Sequence, residues 1–463
     1  MEHMTAGHIA EACRGRILFG SPDTVLKNIS LDSRTMKGDD LFVPLIGENT
    51  DAHDYISQAM DNGAAAVFTS RHDQVPDWGQ RPGRVWIRVE DTKKALQEVG
   101  RFCRRRLHIP LIGITGSVGK TTTREIVAAA LSPGYQVFKT PGNYNSQVGV
   151  PVTLSEIRKA DEIAVIELGM SMPGEMTVIA EIAQVDMAVI TNIGVSHMGQ
   201  LGSQENIYRE KMAIQDGLKA GGTLILNGDD PWLKDSRAKE GCQTIYYGTG
   251  AHCHYRAENI EIKDGYPAFT AVGGGERVPV KLRVMGAHQV GNALAALAVA
   301  HLNGVPLAKA AKALEQFKGY KGRQQRWEGD GITLIDDTYN ASPDSMKAAV
   351  DILSSIVNAG RRIAVLADMK ELGEEALKYH AEVGAHVGAS RVDLLVTYGQ
   401  LAAEIQKEAK RCRPDLHTLH FENRDELEAY LLKEVCRGDA VLLKGSNSMK
   451  LGEVAEHVCQ HHH

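Results

Sequence analysis

Residues 113–123 read GITGSVGKTTT, placing three glycines, a lysine and a threonine triplet between an apolar, strand-like run (PLIGIT) and a helix-like run. That order of residue types does one kind of chemistry well. Backbone N–H groups around Gly116, Ser117 and Gly119 can cup phosphate oxygens, and Lys120 can neutralise them. The Thr121 hydroxyl can ligate Mg²⁺, while Thr122 continues the exposed N-terminus of the helix. The strict G-x-x-x-x-G-K-T pattern asks for glycine at position 114, where Ile114 stands. Gly113 and Gly116 flank that position, so the loop is a variant of the phosphate-binding loop. An ordinary glycine-rich turn would leave Lys120 without a purpose.

Three further residues could act on what the loop holds. Glu167, in VIELGM, ends an apolar strand expected to lie beside the strand that feeds the loop, at the carboxyl edge where α/β sheets bind ligands. A carboxylate there suits Mg²⁺, although a lone glutamate at a strand end is more often a solvated terminus. TNIGVSH carries another strand out through Asn192 and delivers His197 to the same edge, and Lys211 follows fourteen residues later. By position alone His197 reads as a loop or core histidine and Lys211 as a surface lysine on a helix.

The elements that must position these residues alternate along the chain. Before about Glu90, strand-like runs (LFVPLIG, AAAVFTS, RVWIRVE) enclose a helical stretch around Tyr55–Asn62. From Asp91, a helix leads into PLIGIT, and strands then alternate with helices through VFKT, EIAVIEL, DMAVITNI and GTLILN. Such alternation implies a mainly parallel sheet covered by helices. An antiparallel section is expected over residues 244–284, then a helix at 292–302 and a glycine-marked linker near Gly319 and Gly322. ITLIDD, RIAVLAD, DLLVTYG, TLHFE and DAVLLKG build a last, separate α/β unit. The expected architecture is three α/β domains, at 1–90, 91–318 and 319–463, the central one P-loop-like and the last Rossmann-like.

Bulk composition fits that plan. A chain of 463 residues is about three domains at roughly 150 residues each. With 43% hydrophobic and 24% charged residues it has the balance of a globular protein, and a net charge of -6 argues against a nucleic-acid partner. The 7 cysteines are scattered with no C-x-x-C pair, which favours reduced thiols over a zinc site or a disulfide framework. No apolar run approaches the ~20 residues of a membrane span, so a cytoplasmic chain without membrane insertion is expected. Arg104, Arg105 and Arg106 read as a solvated helix end favoured by the macrodipole.

Taken together and in this order, the segments resemble the Mur ligase family of ATP-dependent peptide-bond-forming enzymes. The resemblance covers nearly the whole chain. It includes ITGSVGKTTT, TPGNYNSQVGVPVTL, IELGMSMPGE, NIGVSH with Lys211, GAHQVGNALAALA, GRQQRWEG and IDDTYNASPDSMKAA. IDDTYNASPDSM, LADMKELGE and LLKGSNSMK are most similar to the member that adds D-alanyl-D-alanine to UDP-N-acetylmuramoyl-tripeptide. LDSRTMKGDDLFVPLIGENTDAHDY is similar to that member's uridine-nucleotide-binding domain.

The resemblance implies ATP and Mg²⁺ as cofactors and those two molecules as substrates, in a cytoplasmic enzyme of peptidoglycan synthesis that works as a monomer. Lys120 would meet the β- and γ-phosphates. Thr121 and Glu167 would hold one metal and His197 a second, with Lys211 carbamylated to support it. Asn292 would address the adenine, Arg323 the phosphates, and Asp337 with Asn340 the nucleotide side of a closing C-terminal domain. Ser33, Arg34, Asn143, Asn145, Ser146, Ser342, Lys444 and Ser446 would contact the substrates. For Ser33 and Arg34 a hydrogen-bonded turn is the competing reading, and for Asp337 a turn after the strand.

Ala52, Gln289 and Asn447 depart from the family's usual glycine, asparagine and arginine. The last removes a bidentate partner for a substrate carboxylate. A sister ligase adding a single amino acid, a folylpolyglutamate-type synthetase, or a non-catalytic nucleotide-binding switch are the alternatives. The motifs leave open whether the third peptide residue is meso-diaminopimelate or L-lysine.

Overall fold

Strands Leu111–Thr115 and Ile163–Glu167 are buried at every position. Near-continuous burial of this kind marks strands covered on both faces, as in parallel α/β sheets. In the computed structural model, which describes every residue except Glu2, His3, Asn358 and His463, these two strands are neighbours toward one end of a nine-stranded sheet, with Val137–Lys139 as the edge strand beyond them. Leu111–Thr115 pairs in parallel with Ile163–Glu167 on one side and with Met187–Ile190 on the other. The register sets Glu167 opposite Ile114, so the carboxylate emerges level with the start of the phosphate loop. Helices Lys120–Leu131 and Gln289–Leu302 pack together on one face, and helix Thr92–Arg106 packs with Gly149–Glu156 and Glu175–Ala183.

Two smaller sheets flank this one. A five-stranded sheet spans Arg16–Phe19 to Val85–Arg88. A six-stranded sheet spans Gln325–Gly329 to Asp439–Lys444 and is parallel apart from its first strand. The chain is thus an α/β protein of three sheet-centred units, with an added two-stranded pair near the start. Among the described residues no helix is long and apolar enough to cross a membrane.

Two expectations need correction. The section from residue 244 is not antiparallel throughout. Gln243–Gly248 extends the parallel sheet beside Thr223–Asn227 and meets Tyr255–Lys263 in parallel over two residue pairs. Antiparallel pairing begins only where Tyr255–Lys263, Tyr266–Gly273 and Glu276–Lys281 follow one another through short turns.

Arg104 is not solvated. It is 2% exposed, and its guanidinium donates to the carbonyls of Ala183, Gln184 and Leu107 and pairs with Asp186 at 3.3 Å. The carbonyls left bare at the end of helix Glu175–Ala183 need donors, and an arginine fork from the neighbouring helix supplies them.

Candidate active site

The phosphate loop is held by the strand next to it. Asn192, just past strand Met187–Ile190, exchanges side-chain hydrogen bonds with the Val118 backbone: Val118 N–H donates to Asn192 Oδ1, and Asn192 Nδ2 donates to Val118 O, both at 3.0 Å. Thr191 Oγ1 donates to the same carbonyl at 2.6 Å, and Ser117 Oγ accepts from Gly194 N–H at 2.8 Å. Gly116 adopts φ +150°, where an added Cβ would lie 1.9 Å from Thr191 Oγ1. The left-handed backbone and the close approach of the Thr191 hydroxyl therefore favour glycine there. Gly119, at φ +86°, turns the chain into helix Lys120–Leu131.

Lys120 Nζ donates to Gly116 O at 2.7 Å, curling over the loop it serves. Burial lowers its pKa, while the nearby Glu167 charge works in the opposite direction. Thr121 Oγ1 donates to Glu167 Oε2 at 3.0 Å, and Asn145 Nδ2 donates to Glu167 Oε1 at 2.8 Å. Buried Arg124 lies 3.4 Å from the same carboxylate, pairs with Glu125 at 2.7 Å and donates to Gly142 O. A hydroxyl and a carboxylate at one strand edge form an oxygen set suited to Mg²⁺, which binds through one or two carboxylates plus phosphates and water rather than in an all-protein cage. No group of three or more His, Cys, Asp or Glu that could hold a metal ion occurs among the described residues.

Lys211, in helix Gln204–Met212, is 1% exposed, and its ammonium has no hydrogen-bond or ion-pair partner among the described residues. Burial, and then the charge of Lys120, push its pKa well below the ordinary lysine value. His197 sits in the left-handed region at φ +64° and opens the short helix Met198–Leu201. Its Nδ1 lies 2.9 Å from Glu371 Oε2 of the C-terminal unit, at an angle short of an aligned hydrogen bond. His197, with Lys120 beyond it, holds the Glu371 carboxyl below the usual glutamate range.

A cavity of about 540 Å³ opens beside the loop, between the central and C-terminal units. Gly119, Thr122, Asn292, Arg323, Asp337 and Lys444 all line it. Asn292 is engaged on both sides, accepting from Thr123 Oγ1 at 3.1 Å and donating to Gln289 at 2.9 Å. The Arg323 guanidinium lies 4.1 Å from the centre of the Tyr339 ring, and its buried Nε has no hydrogen-bond partner among the described residues. A buried cation stacked on an aromatic, with a donor left over, is suited to an anionic ligand. Lys444 Nζ pairs with Asp337 at 2.7 Å and donates to Asn340 O at 2.9 Å.

The remaining sequence-derived candidates are spread around this centre. Asn143 and Ser146 flank Asn145 on the loop beneath Glu167; Asn143 O accepts from Asn145 N–H, and Ser146 Oγ accepts from Gly149 N–H at 3.3 Å. Ser342 caps helix Pro343–Ser355 in reciprocal bonds with Ser345, and Ser446 Oγ accepts from Lys370 N–H at 2.9 Å. Ser33 donates to Gln58 at 2.6 Å, whereas Arg34 pairs with Asp32 at 2.8 Å and stays exposed. Both belong to the N-terminal unit and neither lines the cavity. Sequence reasoning missed Arg124, Tyr339 and Glu371. Arg124 directly follows the threonine triplet, and that is the only signal it offered.

The Mur ligase family catalytic domain matches residues 25–104, the Mur ligase middle domain residues 114–300, and the Mur ligase glutamate ligase domain residues 322–447. The chain belongs to the Mur ligase family. It is 38% identical to the UDP-N-acetylmuramoyl-tripeptide--D-alanyl-D-alanine ligase of Bacillus subtilis over 455 residues, covering 98% of this chain and 97% of the relative. To the ligase of the same name from Synechocystis it is 36% identical over 451 residues, covering 96% and 94%. Among solved structures it is similar to MurF from Acinetobacter baumannii (TM-score 0.89, 30% identity, 99% of each chain). It is also similar to the MurF ligase of Thermotoga maritima in complex with ADP (TM-score 0.82, 28% identity, 95% of this chain and 99% of that one).

Proposed function

We propose that this chain joins D-alanyl-D-alanine to UDP-N-acetylmuramoyl-tripeptide, converting ATP to ADP and phosphate, in peptidoglycan precursor synthesis in the cytoplasm. The observation that carries the reading is the Lys120–Thr121–Glu167 constellation at one sheet edge, in a chain that aligns over 98% of its length with a relative of that name.

The chemistry follows from the leaving group. A carboxylate does not accept an amine at neutral pH because oxide would have to depart. Transfer of the ATP γ-phosphoryl group to the tripeptide carboxylate makes an acyl phosphate. The dipeptide amine then attacks its carbonyl carbon, phosphate leaves with the C–O bonding pair, and the amine gives up a proton. Phosphoryl transfer depends on positioning and charge neutralisation. The phosphate loop positions the nucleotide, and Lys120 neutralises the transferring group. Arg323 offers its free donor to the phosphates, with Asp337 and Asn340 beside it, and Asn292 borders the adenine. Mg²⁺, when bound, would supply charge neutralisation for phosphoryl transfer; Thr121 and Glu167 would hold one ion and His197 a second.

Lys211 completes the site as a carbamate. Carbamylation needs a neutral amine, and a buried lysine without a partner provides one. Asn143, Asn145, Ser146, Ser342 and Ser446 bound the substrate side, while Ser33 and Arg34 hold the uridine nucleotide. The enzyme works as a monomer.

Phosphate release from ATP in the presence of UDP-N-acetylmuramoyl-tripeptide, compared across acceptors, tests this. D-alanyl-D-alanine should support one ADP per ligated product, and single amino acids should support none. Equal turnover with a single amino acid would assign the chain to a sister reaction.

A further inference from the structure

The contact between His197 and Glu371 joins two different units of the chain. Glu371 stands on a turn of the C-terminal unit that is fixed from several directions. Asp368 Oδ1 accepts from Ala402 N–H at 2.8 Å, Met369 N–H donates to buried His380 Nε2 at 3.0 Å, and Lys370 N–H donates to Ser446 Oγ at 2.9 Å. Met369 and Leu372, on either side, are buried in the core of the C-terminal unit. Glu371 itself is held at φ +67°, a left-handed conformation that glutamate rarely adopts.

The turn also reaches the central unit through its backbone. Gly199 N–H lies 3.3 Å from Glu371 O, and a Cβ on Gly373 would come within 2.8 Å of Gly199 Cα. Strained backbone, close glycine contact and a rigid base all serve to bring one carboxylate to one imidazole. Strain maintained in this way is characteristic of functional positions.

Building on the ligase reading, we propose that Glu371 is a positioning residue that sets the His197 ring from the C-terminal unit. The Glu371 carboxylate lies 2.9 Å from Nδ1 but off the hydrogen-bond axis, so it is its negative charge that favours a proton on Nδ1 and leaves the Nε2 lone pair free for the metal that His197 would hold. Histidines that bind metals are commonly oriented through their second nitrogen in this manner. Here the orienting group lies on a different sheet from the ligand, so His197 is prepared for metal only when the C-terminal unit is in place against the central one.

The test uses the full-length protein with ¹⁵N-histidine labelling, the His197 signals being assigned by their loss in His197→Gln. In metal-free protein with ADP, long-range ¹H–¹⁵N spectra should show the wild-type ring protonated on Nδ1. Glu371→Gly removes the carboxylate and relieves the left-handed strain together, so its Tm should hold or rise while the tautomer preference is lost. Ligation by this variant should need at least about tenfold more Mg²⁺ for half-maximal rate, at an unchanged KM for ATP, and Glu371→Asp should recover part of that loss. An unmoved tautomer in Glu371→Gly, or a moved tautomer with unchanged Mg²⁺ dependence, would overturn the proposal. Full activity in His197→Gln would instead remove the ligand reading of His197, a result distinct from either.

Discussion

Lys444 Nζ lies 2.7 Å from Asp337 Oδ2, and both side chains are almost wholly buried. Lys444 ends strand Asp439–Lys444, and Asp337 directly follows strand Ile332–Asp336, its parallel neighbour. The carboxyl edge of the C-terminal sheet thus closes on a charge pair, and that pair lines the cavity beside the phosphate loop. Burial lowers the Lys444 pKa, while Asp337 opposes the shift. Breaking a buried pair from one side leaves an uncompensated charge, at about 3 kcal/mol or more. Lys444→Met should therefore destabilise the protein by about that amount and raise KM for ATP, and adding Asp337→Asn should recover part of the stability. Urea unfolding of the wild type and the two variants measures the stability changes, and initial rates at varied ATP measure KM.

Lys211 makes stability depend on pH in a definite direction. Its folded pKa is depressed by burial below the ordinary 10.5, so between the two values the unfolded chain binds more protons than the folded one. Stability then rises with pH across that window. Lys211→Met, which needs no proton to be buried, should unfold at a higher temperature than the wild type near neutral pH, and the gap should narrow as pH climbs toward 10.5. The same variant should lose ligation while still binding ATP. Bicarbonate should raise the Tm of the wild type and leave that of the variant unchanged.

Gly116 admits no side chain. An added Cβ would meet Thr191 Oγ1 at 1.9 Å, and that hydroxyl is itself bonded to Val118 O in the loop. Overpacking of this sort costs roughly 1–3 kcal/mol. Gly116→Ala should lower Tm and weaken nucleotide affinity at least about tenfold, measured by calorimetry with ADP.

Legibility in the sequence followed locality. The phosphate loop declares itself because glycines, lysine and threonine act within one turn, and the parallel central sheet because strand and helix patterns alternate over short spans. Glu167, His197 and Lys211 are ordinary residues by type and position, and only the ordered set of segments around them, read as a family resemblance, marked them out. Arginines at a helix end are usually solvated, which is why Arg104 reads as such; apart from Leu107 O, its partners lie some eighty residues away, at and just beyond a neighbouring helix end. Glu371 and Tyr339 lie inside LADMKELGE and IDDTYNASPDSM, segments that carry the resemblance, yet neither is singled out there. Tyr339 matters through its stack on Arg323 and Glu371 through its contact with His197 on another unit, and residue type alone signals neither.

Asn447 offers a specificity test. It is exposed at the start of the short helical turn Asn447–Met449, beside Ser446, at a position where the family resemblance leads one to expect arginine. An amide grips a carboxylate less firmly than a guanidinium fork. Asn447→Arg should lower KM for D-alanyl-D-alanine several-fold with little change in kcat; an unchanged KM would place the carboxylate contact on another residue.

The central claim is that ATP is spent on activating the tripeptide carboxylate, and isotope transfer tests it directly. With both oxygens of the terminal tripeptide carboxylate labelled as ¹⁸O, turnover with ATP and D-alanyl-D-alanine should place one ¹⁸O in each inorganic phosphate released, with the other retained in the new amide carbonyl. Lys120→Ala should release no labelled phosphate while remaining folded. Phosphate free of ¹⁸O, formed at the rate of ligation by the wild-type enzyme, would contradict the account.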